Sequence, residues 1–368
     1  MVKGSIGNTA AMTTTLTQSG GGKDRPARST MKDVARLAGV SVKTVSRVVN
    51  GEPGASAAVR ERILQAAERL DYRHNLGAST LRRKDSRSGI VGALLQDVGN
   101  SFSAGLLRAL EDALREGGLS VLAASLDEEP DRERDIVSDL VARRADGLVL
   151  MPASERHEYL LSEHRAGLPL VFVDRRPHGL DCDSVTIDNR MGAKLATAHL
   201  IAGGHRRIAM LSDLHQIETA KERIAGYRAA LEEAQIGFDP LLLVHGVRSE
   251  EEATRVVADF LDSTDPPTAL VAGRNIITVG AVRALRSAGM VRKVALVGFD
   301  DFPLADLIEP GLTVIRQDVR RIGAEVGRIL LGRLAGDNGP PQHLVLKPSL
   351  IRRGSGEILP PNLDPVGR

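Results

Sequence analysis

The first stretch suited to chemistry runs from Val42 to Asn50 and has the length of a short helix. At helical spacing, Val45, Val48 and Val49 share one face, and the opposite face carries cationic and hydrogen-bonding side chains. A helix with one aliphatic face and one cationic, hydrogen-bonding face suits the major groove of DNA. The alternative interpretation is an ordinary helical hairpin whose polar face is solvated. The front face consists of Val42, Lys43, Ser46, Arg47 and Asn50.

A second set of polar side chains recurs directly after the predicted strands of the remaining chain. In open parallel sheets, ligands bind outside the carboxyl ends of the strands, so two sheets facing each other along such edges would enclose a cleft. Carboxylates and amides there accept hydroxyl protons and arginines supply forked donors, which fits a small polyhydroxylated molecule. These strand-end residues are Gln96-Asp97 with Phe102 and Ser103, Asp174-Arg175, Ser212-Asp213, Arg248, Arg274-Asn275 and Asp300-Asp301.

Capping signals place the first set of residues on the second of three helices, which together form an all-α head. Thr30 and Asp33 form a capping box before the first helix, and Gly39 can adopt the left-handed conformation that ends it. Ser41 caps the second helix, and Ser56 caps a third. The turn, the caps and the faces agree with a helix-turn-helix.

From Gly89 onward, aliphatic strands alternate with amphipathic helices, which predicts parallel sheet buried on both faces. About eight such units exceed one compact sheet, so the sequence predicts an α/β body of two similar lobes with doubly wound parallel sheets. The predicted strands are Ile90–Leu95, Leu119–Ala124, Gly147–Met151, Leu170–Val173, Ile208–Leu211, Leu241–Val244, Ala269–Val271 and Val294–Phe299. The predicted helices are Ala104–Glu116, Arg132–Arg143, Arg190–Ile201, Ala220–Ala234, Glu250–Leu261, Thr278–Arg286 and Val319–Leu334.

Between head and body, residues 71–88 form a polar connector in which three cations follow Leu81. An exposed leucine beside such cations can wedge between base steps in the minor groove while the cations hold phosphates. Packing of Leu81 onto the next domain is the alternative interpretation.

Composition limits the class of protein. The 368 residues suit two or three globular units, and the single cysteine, Cys182, excludes an internal disulfide and indicates the cytoplasm. No apolar run approaches the ~20 residues of a membrane span, so no membrane partner is expected. The net charge is +6 over residues 31–84 and −7 after residue 84, which keeps the attraction for phosphate local to the head.

An enzyme is the main alternative from another class, since such sheets often carry catalysis. No dinucleotide loop, Walker loop or nucleophile elbow follows a strand, and neither a cofactor nor a metal is expected. His157 and His164 are interpreted as surface residues, His205 as a helix-end residue, and Asp127-Glu128-Glu129 as a solvated helix N-terminus. A regulator controlled by a protein corepressor is the second alternative, although the strand-end polar residues favour a small molecule.

Together these motifs resemble the LacI/GalR family of bacterial transcriptional regulators over residues 30–353. The head matches in Met31-Lys32-Asp33-Val34-Ala35, Gly39-Val40-Ser41, Thr44-Val45-Ser46-Arg47-Val48, Asn50-Gly51 and Tyr72-Arg73-His74-Asn75. The body matches in Val173-Asp174-Arg175, Ile187-Asp188-Asn189, Gly204-His205-Arg206-Arg207-Ile208, Arg223-Ile224-Ala225-Gly226-Tyr227, Gly298-Phe299-Asp300-Asp301 and Leu312-Thr313 with Gln317.

The resemblance implies a homodimer or dimer of dimers whose paired heads read a near-palindromic operator on double-stranded DNA. Lys43 and Arg47 would bond O6 and N7 of guanine, and Val42 would offer apolar contact, such as to a thymine methyl group. His74 and Ser79 depart from the proline and the basic residue common in the family, so weaker insertion of a hinge helix is expected. The implied DNA-binding residues are Val42, Lys43, Thr44, Ser46, Arg47, Asn50, Leu81 and Arg82.

The resemblance also implies a repressor whose operator affinity is changed by a sugar-like effector between two periplasmic-binding-protein-like lobes. Arg248 and Arg274 replace an aromatic residue and an asparagine, which predicts an acidic sugar or a sugar phosphate. The alternative is that either arginine faces solvent or pairs with Asp300 or Asp301. The implied effector-binding residues are Asp97, Phe102, Ser103, Thr219, Arg223, Arg248, Arg274 and Asp300.

The predicted domain organisation follows the same resemblance. It comprises a disordered tail (1–29), a helix-turn-helix domain (30–73), a hinge helix and linker (74–88), a two-lobed effector-binding and dimerisation body (89–355) and a C-terminal tail (356–368). Within the body, lobe 1 is expected over about 89–188 and 317–343, and lobe 2 over about 189–316 and 344–355.

Overall fold

The computed structural model describes residues 29–49, 52–72 and 87–361. The chain divides into two compact units, Met1–Lys84 and Asp85–Arg368, each with a hydrophobic core of its own. Several predicted features lie outside the described residues, namely the tail over 1–28, the DNA contacts Asn50, Leu81 and Arg82, and the hinge residues His74 and Ser79.

The first unit, called the head below, contains the helices α1 (Met31–Ala38), α2 (Val42–Val49) and α3 (Ala57–Arg69). The Thr30 hydroxyl accepts a hydrogen bond from the Asp33 amide, and the Asp33 carboxylate accepts one from the Thr30 amide, which completes the predicted capping box. Gly39 ends α1 at a φ of 63°. The Ser41 hydroxyl caps α2 by accepting a hydrogen bond from the Thr44 amide at 3.1 Å.

The three helices enclose a small aliphatic core. Its buried members are Val34, Ala35, Ala38, Val45, Val48, Ile63 and Ala66. Because Val45 and Val48 both point into this core, the opposite face of α2 is left at the surface of the head.

The second unit, called the body below, is built from two six-stranded sheets covered by helices. Its strands are β1 (Ile90–Leu95), β2 (Ser120–Ser125), β3 (Gly147–Leu150), β4 (Leu170–Val173), β5 (Asp183–Ile187), β6 (Ile208–Leu211), β7 (Leu243–Val244), β8 (Ala269–Ala272), β9 (Ala295–Phe299), β10 (Thr313–Arg316), β11 (His343–Leu346) and β12 (Ser349–Ile351). Its helices are α4 (Ser101–Arg115), α5 (Pro130–Ala142), α6 (Leu161–Arg165), α7 (Asn189–Ala202), α8 (Glu218–Glu233), α9 (Glu250–Leu261), α10 (Asn275–Ser287) and α11 (Val319–Leu334). None of the helices in the described parts of the chain is long and apolar enough to cross a membrane.

The strand orders of the two sheets correspond to each other. Lobe 1 has the order β11-β5-β4-β3-β1-β2, and lobe 2 has the order β12-β10-β9-β8-β6-β7. All neighbouring strands are parallel except β10 and β12, which pair antiparallel. The predicted pair of similar parallel-sheet lobes is therefore present, with aliphatic cores packed on both faces of each sheet.

The chain crosses between the lobes three times, after β5, after β10 and after β11. The predicted lobe boundary between 343 and 344 is wrong, because it cuts through β11. This strand pairs with β5 from His343 to Leu346, so lobe 1 continues to Leu346. Four strands were not among those predicted, namely β5, β10, β11 and β12.

The body also extends past the predicted start of the C-terminal tail at residue 356. A 3₁₀ helix, Ser355–Glu357, packs against lobe 2, where the Ser355 hydroxyl donates to the Leu296 carbonyl at 2.6 Å. The Ile358 carbonyl lies 2.8 Å from Nε2 of the buried His205, whose Nδ1 lies 2.9 Å from the Thr268 hydroxyl. Burial lowers the pKa of His205 and so favours the neutral imidazole. This histidine, placed by the sequence at a helix end, is therefore a buried residue that connects Thr268 to the C-terminal segment.

Candidate functional site

The exposed front of α2 is the candidate DNA-contacting surface of the head. Val42, Lys43 and Arg47 are exposed, whereas Thr44 and Ser46 are half-buried. The cations of Lys43 and Arg47 can therefore reach base edges or phosphates, while the valines behind them hold α2 on the head.

A second candidate site is a cavity of about 40 Å³ between the two lobes of the body. Most of its lining residues follow directly after strands of one sheet or the other, at the carboxyl ends of the strands, or begin the helices after them. This edge is where open parallel sheets bind ligands.

Arg223 is buried at the centre of the lobe 2 wall. It lies on α8, its Nε donates to Oδ1 of Asn189 at 2.8 Å, and its Nη1 donates to the Gly273 carbonyl at 2.5 Å. The guanidinium carbon stands 3.8 Å from the centroid of the Phe299 ring. Burial lowers the pKa of Arg223, and the carboxylates of Asp300 and Asp174 oppose that shift. The guanidinium is thus fixed on two acceptors and one aromatic face before any ligand binds.

Asp174 and Asp300 present a carboxylate from each lobe. Each residue follows a central strand, β4 or β9, and each has a φ of 70°. The amide of Asp174 donates to the Val185 carbonyl and that of Asp300 to the Ile315 carbonyl, so the same tight turn occurs twice. Burial raises the pKa of Asp174, opposed by Arg175 and Arg223.

The other two arginines of the cavity are paired with carboxylates of their own lobe. Arg175 donates to both oxygens of Glu128, at 2.6 and 2.5 Å, and to the Pro152 carbonyl at 2.8 Å. Burial opposes a charge on Arg175, yet the hydrogen bonds and the charge of Glu128 raise its pKa overall. Arg274 forms an ion pair with Asp213.

Direct contacts join the lobes across the cavity, among them a hydrogen bond from the Asn275 side chain to the Ser101 hydroxyl at 2.9 Å. The side-chain amides of Asn100 and Asn275 exchange hydrogen bonds at 2.9 and 3.0 Å. Arg274 also donates to Oε1 of Gln96 at 3.2 Å. These contacts narrow the space available to a ligand in this arrangement of the lobes.

Comparisons with known proteins cover both units. Residues 30–75 match the model of bacterial regulatory proteins of the lacI family, and residues 197–356 match the periplasmic binding protein-like domain. The HTH-type transcriptional regulator CelR of Thermobifida fusca is 33% identical over 341 residues, which cover 90% of this chain and 100% of that protein. The chain belongs to the LacI family.

Two solved structures of transcriptional regulators support the same assignment. The lac repressor dimer bound to operator and the anti-inducer ONPF has a TM-score of 0.77 at 27% identity, over 89% of this chain and 99% of that one. The complex of CelR with cellobiose has a TM-score of 0.65 at 31% identity, over 89% of this chain and 100% of that one. This LacI-family chain is therefore a DNA-binding transcriptional regulator with a periplasmic-binding-protein-like body.

Six of the eight effector contacts implied by the family resemblance line the cavity, namely Phe102, Ser103, Thr219, Arg223, Arg274 and Asp300. Asp97 does not, because its carboxylate turns back to accept a hydrogen bond from the Gly99 amide at 2.8 Å. Arg248 is exposed, and its amide donates to Glu252 at the start of α9. Both residues follow the right strands but lie outside the cavity lining.

Other lining residues of this LacI-family body were not singled out as effector contacts. Several of them belong to the strand-end pairs identified in the sequence, but Asn100, Glu128, Met151 and Gln317 do not. Gln317 donates to Asp300 at 2.5 Å. The prediction that Asp127-Glu128-Glu129 is a solvated helix N-terminus is wrong for Glu128. Its side chain is only 8% exposed, because it forms an ion pair with the buried Arg175. The predicted surface residue His157 is likewise buried, with its Nδ1 2.9 Å from the His178 amide.

The described residues contain no candidate metal site. Within residues 29–49, 52–72 and 87–361, no three His, Cys, Asp or Glu side chains are grouped so that they could hold a metal ion.

Proposed function

We propose that this LacI-family regulator is a repressor that acts as a homodimer on a near-palindromic operator. The reading face of one head is small, so useful affinity requires two heads held one half-site apart. The exposed Lys43 and Arg47 support base reading, and Val42 adds an apolar contact. The lac repressor, a structural relative, is a dimer bound to operator in its solved structure.

We further propose that the effector is a neutral polyhydroxylated molecule, such as a sugar. The observation that carries this proposal is that the carboxylates around the cavity outnumber the arginines, four to three. The cavity is lined by the arginines 175, 223 and 274 and by the carboxylates Glu128, Asp174, Asp213 and Asp300. Two arginines are paired directly, and the charge of the third, Arg223, is stabilised electrostatically by Asp300 and Asp174. An acidic ligand would meet no spare positive charge there, so this balance argues against the acidic effector predicted from the sequence.

The same residues link ligand binding to lobe position. A cavity of about 40 Å³ holds little more than water, whereas ligand pockets typically measure about 300–1,000 Å³. A sugar that enters has to part the Asn100–Asn275 and Arg274–Gln96 contacts and so changes the spacing of the lobes. Such couplings typically amount to about 1–3 kcal/mol, or roughly 5- to 150-fold in operator affinity.

Calorimetric titration tests the site of the effector. Neutral sugars, including D-ribose, D-galactose and cellobiose, should bind, and Asp300→Asn should weaken binding by about tenfold or more, because the negative charge is lost and one of the two acceptor oxygens becomes an amide donor. Asp97→Asn is the matched control, because Asp97 lies outside the cavity and an asparagine oxygen can keep its hydrogen bond to Gly99. Equal effects of the two substitutions would contradict the proposed site.

A thermal-shift screen tests the chemical class of the effector. A ligand of the cavity raises the unfolding temperature by mass action, so neutral sugars should do so more than their acid or phosphate counterparts. Preference for galacturonate or a sugar phosphate would overturn the neutral-sugar proposal. A response to none of these molecules would favour control by a protein corepressor.

A further inference from the structure

The first described residues of the body, Arg87 to Gly89, are held on lobe 1 by a network of hydrogen bonds. Both carboxylate oxygens of Asp146 accept a backbone amide at 2.7 Å, Oδ1 from Ser88 and Oδ2 from Gly89. The Ser88 hydroxyl donates to Oδ1 of Asp146 at 3.2 Å and accepts the Ile90 amide at 3.1 Å. The amide of Asp146 donates in turn to the Ile90 carbonyl at 2.7 Å. Asp146 therefore closes a network around the point where the chain enters the body.

Arg87 adds a second attachment, at the end of α11. Its guanidinium donates to the carbonyl of Leu334, the last residue of that helix, where carbonyls lack partners within the helix. The end of α11 is itself fixed, because Arg333 donates to both carboxylate oxygens of Asp183 on β5. Both attachment points, Asp146 before β3 and Leu334 on α11, belong to lobe 1.

This network is separate from the effector cavity. Asp146 directly precedes β3, so it lies at the amino end of that strand, whereas the cavity lies at the carboxyl ends of the strands. Bonds from two amides to one carboxylate are charge-assisted, and such bonds are roughly twice as strong as neutral ones. Residues 73–86 join this point to the described part of the head, so the network fixes one end of that segment.

We propose that Asp146 and Arg87 are positioning residues for operator binding, which hold the end of segment 73–86 so that two heads reach their half-sites together. This inference rests on the homodimer proposed above. With the network intact, residues 87–89 are ordered before DNA binds. With the network broken, they have to be ordered during binding, and each residue so ordered lowers the affinity by roughly fivefold or more. One head on a half-site needs no fixed separation, so the network affects only binding by both heads.

The test compares a two-fold DNA site, selected from a random pool with the wild-type chain, with a single half-site of the same sequence. Asp146→Asn keeps the shape of the side chain but leaves one oxygen to serve two amides, and Arg87→Ala removes the attachment to α11. In fluorescence anisotropy at fixed salt concentration, each full-length variant should lose about fivefold or more of the preference for the full site. Binding to the half-site should stay within about twofold of the wild type. Two base pairs inserted between the half-sites should weaken the wild type more than either variant.

Arg206→Ala and Asp239→Asn are the matched controls, because they remove comparable bonds and the same charges on lobe 2. Arg206 donates to the Ala234 carbonyl directly after α8, and Asp239 accepts the Leu241 amide. Both controls should keep the full-site preference within about twofold of the wild type.

Three outcomes would contradict the proposal, and they can be told apart. Test variants that keep the full-site preference, or that weaken full site and half-site equally, would overturn the positioning role and leave the homodimer standing. Controls that lose the preference as the test variants do would also overturn this role, because the effect would then not belong to lobe 1. A wild-type chain that selects no two-fold site would overturn the homodimer itself.

Discussion

The contact of Gly226 with the preceding helix gives a stability prediction that can be worked from distances. Gly226 lies on α8, and a Cβ atom placed on it would stand 2.1 Å from the carbonyl oxygen of Arg190 and 2.9 Å from the amide nitrogen of Lys194. Both are backbone atoms of α7. Because a backbone cannot rotate away as a side chain can, Gly226→Ala has to push the two helices apart.

The expected loss of unfolding free energy is about 2–4 kcal/mol. Overpacking of a filled interior typically costs about 1–3 kcal/mol. The displacement also strains the 2.8 Å hydrogen bond from Arg223 on α8 to Asn189 on α7, and such a bond contributes about 0.5–1.5 kcal/mol. Since this bond positions Arg223 in the cavity, the variant should weaken effector binding too.

Urea titration of the full-length chain, followed by far-UV circular dichroism, is the suitable assay because the sequence contains no tryptophan. Gly237→Ala is the matched control, since a Cβ atom there would meet nothing within 4 Å. It should change the unfolding free energy by less than about 0.5 kcal/mol. A Gly226→Ala variant as stable as this control would refute the close helix contact.

Three further predictions concern the head and the buried histidines. Lys43→Ala should relax specificity at one base pair per half-site by about 1–3 kcal/mol, measured on DNA sites selected from a random pool. A uniform loss over all sequences would mean that Lys43 contacts only phosphate. His205→Ala should lower the unfolding free energy by about 1–3 kcal/mol in urea, because Thr268 and the Ile358 carbonyl lose their partner, and an unchanged midpoint would contradict this role. Burial lowers the pKa of His157 and His205, so the stability that depends on their neutral forms is complete above pH ~6.5 and is lost as the pH falls. Thermal unfolding near pH ~5 should therefore occur at lower temperature than near pH ~7.5, and His205→Asn should reduce the difference.

The head could be predicted almost completely from the sequence, because its signals are local. The capping box of Thr30 and Asp33 spans four residues, and Gly39 and Ser41 fix the turn that follows. The helical spacing of the valines on α2 then determines which face of the helix is buried. No distant contact is needed to place these side chains.

The strand β5 shows why part of the body was missed. Its sequence contains Asp183, Ser184 and Thr186, which read as a polar loop, yet all three residues are buried. Asp183 is tolerated there because Arg333, 150 residues away along the chain, donates two hydrogen bonds to it at 2.8 and 2.9 Å. A buried strand stabilised by such a distant partner has no local signature.

The cavity was predicted in outline but not side chain by side chain, for a related reason. Position after a strand places a residue at the correct edge of the sheet, as it does for Arg274 and Asp300. It does not determine where the side chain points. Asp97 satisfies its own turn and Arg248 faces solvent, whereas Glu128 enters the interior only because Arg175 meets it there.

The repeated turn after β4 and β9 relates ligand recognition to lobe movement. Asp174 and Asp300 both have a φ of 70°, a conformation that aspartate tolerates better than most residues, and each is anchored by its amide to the neighbouring strand of its own sheet. Each carboxylate therefore moves with its lobe, and Arg223 lies within the electrostatic reach of both. A ligand whose hydroxyls donate to both aspartates contacts both lobes at once. Because its binding free energy then depends on lobe spacing, such a ligand meets the thermodynamic condition for shifting the lobe equilibrium.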